Sequence, residues 1–148
     1  MASEMTLTQS TTSITRSIVR HIPTAARVLL GLVFFVFGLN GFLNFIPPPA
    51  EPPPEGAMAL AVALMKSGYL FQLIKGTEVV AGALLLANRF VPLALALVAP
   101  VIVNIFAFHA FLAPSGVGLA AALVALELVL AWSYRNAFRP MLAARVSC

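Results

Sequence analysis

Seven polar side chains stand out within runs that are mostly apolar: Asn40, Asn44, Lys75, Glu78, Asn104, His109 and Glu127. Lys75 and Glu78 are three residues apart, so on a helix they share a face and can pair directly. Glu127 has no charged neighbour in its own run. It must borrow Lys75, hydrogen-bond Asn104 or carry a proton, because desolvation disfavours the charged carboxylate. An ionised group facing acyl chains costs at least about 2.5 to 3.5 kcal/mol, so such groups turn inward and meet one another. The expectation is one buried polar cluster of Lys75, Glu78, Glu127, Asn104, His109 and Asn40, able to bind the polar head of a small ligand. The structural alternative is that these groups only lock helices in register, each contributing about 0.6 to 2 kcal/mol.

Several other chemistries lack their residues. The only cysteine, Cys148, allows no disulfide within the chain and no thiolate metal site. His109 alone makes no metal site, and His21 is expected on the opposite side, so a haem would lack a second axial ligand. There is no glycine-rich phosphate loop, no His-Glu-x-x-His and no serine-triad signature. No catalytic residue is assigned, and a metal is not expected. The formal charge of +4 comes from scattered basic residues without interleaved aromatics, which excludes a nucleic-acid groove.

The elements that must position these groups follow from hydropathy. Of 148 residues, 61% are hydrophobic and 9% charged, and the mean hydropathy is +0.99, beyond what one soluble core requires. Four apolar runs, about 25–45, 69–87, 90–112 and 117–134, each approach the roughly 20 residues that a bilayer of about 30 Å demands. The predicted fold is all-α, an integral membrane four-helix bundle over residues 25–135. A flexible basic tail precedes it (1–24) and a basic cytoplasmic tail follows (136–148). The proline-rich connector from Ile46 to Glu55 cannot be helical, and the short run Met58 to Met65 predicts an extra half-helix after it. Pro92 falls in a first helical turn, whereas Pro100 lies inside the third span and should kink it unless a neighbour satisfies the freed carbonyl. At 1.5 Å per residue, the polar groups sit roughly 5 to 16 Å below the outer ends of their spans.

Arginines set the expected orientation. With four spans, Arg16, Arg20, Arg27, Arg89, Arg135, Arg139 and Arg145 fall on one side, and Glu51, Glu55 and Lys66 on the other. The positive-inside rule places both termini in the cytoplasm. Gly31, Gly38 and Gly41 in the first span, with Gly76 and Gly82 in the second, should let those helices approach closely. Phenylalanines of the first and third spans either line a lipophilic pocket or face lipid.

Three segments carry a family resemblance: Arg27-Val-Leu-Leu-Gly-Leu-Val-Phe-Phe-Val-Phe-Gly-Leu-Asn-Gly41, Lys75-Gly-Thr-Glu-Val-Val-Ala-Gly82 and Asn104-Ile-Phe-Ala-Phe-His109. Together they resemble the DoxX family of small bacterial four-helix membrane proteins, over most of residues 25–140. The resemblance implies a bacterial inner-membrane location. Through the related DoxD subunits of thiosulfate:quinone oxidoreductase it also implies quinone-coupled redox chemistry with a redox protein partner. The leading expectation is a membrane subunit that binds a quinone-like molecule and does not act as an enzyme alone. The competing expectations are a non-catalytic scaffold and a carrier that uses Glu127 as its protonatable group.

Overall fold

Away from water a backbone has only its own partners, and a helix satisfies its N–H and C=O groups within one segment. The computed structural model describes the backbone of residues 2–142 and the side chains of residues 21–141. Among the described residues every regular element is helical: α1 (Ala2–Leu43), α2 (Glu55–Lys66), α3 (Leu70–Leu86), α4 (Val91–Phe111), α5 (Val117–Ser133) and the short α6 (Arg135–Phe138). Turns of 3-10 helix occupy Pro114–Gly116 and Arg139–Leu142.

Three segments are long and apolar enough to cross a membrane: His21–Leu43 within α1, Val91–Phe111 and Pro114–Ser133. The expected second span, 69–87, differs. Helix α3 has 17 residues, about 25 Å at 1.5 Å per residue. It qualifies only together with α2, the expected half-helix, from which it bends by 93°. Ser67 and Gly68 build this elbow. Gly68 adopts φ +79°, while the Ser67 hydroxyl donates to Leu64 O (2.6 Å) and accepts from the Leu70 N–H (3.0 Å). The hydroxyl thereby satisfies one group at the end of α2 and one at the start of α3.

Residues 1–24, expected as a flexible tail, continue α1 upstream to Ala2, with Pro23 inside the helix. Once the apolar span has nucleated, each added residue gains a hydrogen bond without forming a new nucleus. Helix α4 likewise runs from Val91 to Phe111 through Pro100. Of the expected C-terminal tail, Arg135–Leu142 is helical, and Arg145 and Cys148 lie outside the described residues.

Helix α1 packs most extensively on α3; α4 contacts α3 and α5, and α5 contacts α1. Leu30, Phe34, Leu85, Leu95, Val98 and Leu130 fill the interior. The α1–α3 seam is closed by glycines, as the sequence suggests: a Cβ on Gly82 would stand 2.5 Å from Phe35 N, and one on Gly41 would stand 2.5 Å from Lys75 Cγ. Gly76 is the exception, with nothing near it. Apolar side chains such as Leu73, Val103, Phe111, Leu119 and Leu128 cover the outside, a surface suited to acyl chains rather than water.

The two ends of the helices differ in charge. Arg27 reaches the last turn of α3, and Ile22 and Pro23 of α1 border a groove with Trp132 and Ser133 of α5. Arg27, Arg89 and Arg135 therefore share one end, the arginine end. The proline-rich connector, α2 and the α4–α5 turn occupy the other.

Candidate functional site

The α1–α3 seam forces Lys75 and Glu78 inward. Lys75 lays its aliphatic stem over Gly41, and Glu78 Cβ abuts Gly38. Their spacing makes the expected ion pair: Lys75 Nζ to Glu78 Oε2 is 2.8 Å, with the side chains 23% and 5% exposed. At the buried Glu78 the attraction is only weakly screened, and that carboxylate left without Lys75 would be an uncompensated buried charge.

The pair lines a cavity of about 260 Å³ between α1, α3, α4 and α5. Val33, Phe34 and Phe37, Ile105, and Leu119 and Leu123 supply apolar walls, and His109 adds a third polar group. His109 Nδ1–H donates to Ile105 O at 2.8 Å. In a neutral ring that assignment leaves Nε2 as an acceptor. The imidazole lies over Gly116, where any side chain would collide with its Cδ2 and Nε2 atoms. The α4–α5 turn thus holds His109 in place, and Phe108 meets its ring edge-on at 5.1 Å.

The remaining expected members lie elsewhere, so the single six-residue cluster is corrected to Lys75, Glu78 and His109. Asn40 serves the end of α1: its Oδ1 accepts the Ile46 N–H at 2.7 Å. Asn44 ends that helix with φ 49°, a left-handed conformation that asparagine tolerates. Asn104 is exposed on the outer face of α4, because Val98, Ile102, Ile105 and His109 define its inward stripe and 100° per residue turns position 104 away. Glu127 lies one turn beyond Leu123 toward the arginine end, about 6 Å along α5. Its Oε2 is buried without a hydrogen-bond partner. Depths counted separately along each span misled here because they ignore the stagger and rotation of the helices.

Sequence reasoning also missed a second role for Arg27. Besides marking charge asymmetry, this buried arginine donates from Nη1 to Leu85 O, and more weakly to Leu86 O at 3.4 Å. It thereby caps carbonyls at the C-terminus of α3, where a cation also suits the helix dipole. A signal was present: Arg27, Gly31, Phe34, Gly38 and Gly41 recur at alternating spacings of four and three, the pattern of one helix seam.

No group of three or more potential metal ligands occurs among the described residues. Fold and cavity together define a class, an all-helical protein with three segments long and apolar enough to cross a membrane and a small cavity that mixes polar and apolar walls. The chain matches no family model, no curated protein and no solved structure.

Proposed function

We propose that the protein is a four-span, DoxX-like membrane protein of the bacterial plasma membrane that binds the head of a quinone-like molecule and works with a redox partner. Helices α1, α3, α4 and α5 are the spans, and the arginine end faces the cytoplasm under the positive-inside rule. The observation that carries this reading is the cavity itself: Lys75, Glu78 and His109 converge on a space otherwise walled by apolar side chains, the usual composition of a small-molecule site. Its volume of about 260 Å³ suits one ring. Chemistry fits both states of such a ring. An oxidised head offers carbonyl acceptors to the Lys75 ammonium, and a reduced head offers hydroxyl donors to the Glu78 carboxylate or to His109 Nε2.

The test is mass spectrometry of small molecules retained by detergent-purified protein. Wild-type protein is expected to carry a quinone, and Lys75→Met with Glu78→Leu, which removes both charges together, is expected to lose it while remaining folded. Retention undiminished in the double variant would overturn the assignment. One observation favours the scaffold reading instead: Lys75 and Glu78 already satisfy each other across a glycine seam. That reading gains if wild-type protein carries no small molecule and the double variant keeps the cellular phenotype.

A further inference from the structure

The cavity is not closed equally on all sides. Between α1 and α3, Gly38 and Gly41 bring Glu78 and Lys75 into direct contact with the neighbouring helix. At the α4–α5 turn, His109 lies against Gly116. Toward the arginine end the floor is Phe34 and Leu123, backed by the buried Leu30, Ile102 and Leu130. Between α1 and α5 the lining residues themselves reach the surface: Phe37 is 50% exposed and Leu119 62% exposed. The two helices run antiparallel, since Ile22 and Pro23 meet Trp132 and Ser133, so Phe37 and Leu119 face each other across this side.

We infer that the cavity opens sideways into the bilayer through a slot between Phe37 of α1 and Leu119 of α5, and that its ligand is an amphiphile whose tail stays among the lipid chains. This rests on the head-binding reading above and adds the ligand's second half and its route. Volume supports it. A cavity of about 260 Å³ lies below the roughly 300–1,000 Å³ of sites that enclose whole drug-sized ligands, so a long apolar tail has no room inside. Polar groups at the inner wall and exposed apolar groups at the mouth orient such a molecule head first.

The full chain in lipid nanodiscs tests this with two probes, a tail-less dimethoxy-methylbenzoquinone and the same head bearing a decyl chain, compared at equal membrane concentration. Wild-type protein is expected to bind both with similar affinity, because the tail never leaves the lipid. Leu119→Trp, which enlarges the side chain opposite Phe37, should weaken the decyl probe at least about tenfold more than the tail-less probe, equivalent to about 1.4 kcal/mol. Wild-type protein that takes only the tail-less probe has a closed cavity; the slot is then overturned while the head-binding reading stands. Equal binding of the decyl probe by wild type and Leu119→Trp, or an equal loss of both probes in that variant, also overturns the slot.

A second measurement needs no ligand. Phe37→Trp in a Trp132→Phe background leaves one tryptophan at the mouth, and lipids brominated on their chains should quench it. An unquenched Trp at position 37 overturns the opening whatever binds. Quenching together with no binding of either probe retains the opening and overturns the quinone-like occupant.

Discussion

Helix α1 has two neighbours and treats them oppositely. Against α3 it presents Gly31, Gly38 and Gly41, and backbone and side chains interlock closely enough that Gly82 of α3 has no space for a methyl group. Against α5, at the level of the cavity, it presents Phe37, whose counterpart is Leu119, and both side chains are half or more exposed. The difference teaches that glycine in this protein has no single meaning. On the α1–α3 side it allows contact and presses two charges toward the interior, whereas Gly118 on α5 meets nothing within 4 Å.

Breaking the charged pair on the closed side gives the largest expected effect. Lys75→Met leaves Glu78 buried without its partner and should cost about 3–5 kcal/mol, read as a fall in melting temperature of the detergent-solubilised protein. Removing both charges in Lys75→Met/Glu78→Leu should recover most of that loss. A single variant as stable as wild type would mean the pair is not ionised and buried as described.

The glycine comparison sharpens the contrast through one substitution made twice. Gly82→Ala should destabilise by about 1–3 kcal/mol, because the added methyl meets the backbone of Phe35 and the seam must spread. Gly118→Ala should stabilise by about 0.5–1 kcal/mol, since alanine is the better helix former and nothing obstructs it. Both are measured by thermal unfolding in the same detergent. Equal signs for the two variants would erase the distinction between a glycine pressed into a helix seam and one that faces outward.

Much of the site was legible because it is local. Lys75 and Glu78 pair because three residues on a helix return a side chain to the same face, and that geometry needs no tertiary information. Glycine spacing announced the seam for the same reason. Asn40 and Asn104 were misplaced because polarity says only that a side chain needs a partner. Asn40 found one in the first peptide group of the connector, while Asn104 turned outward. Arg27 shows the reverse error, a residue read for its charge alone whose guanidinium caps a helix far away in sequence.

Length, hydropathy and proline placement determined by themselves that this chain forms apolar helices with a non-helical connector after the first, because the bond-forming groups of a helix lie within one segment. Sequence periodicity also determined which residues share a helix face. Only the tertiary structure decided which faces meet, that α2 and α3 join at a sharp bend, that His109 enters the cavity with Lys75 and Glu78, and that Glu127 stands apart from them. Those outcomes depend on the rotation and stagger of each helix against its neighbours. Rotation and stagger are fixed by packing between residues distant in sequence, which no single run of residues encodes.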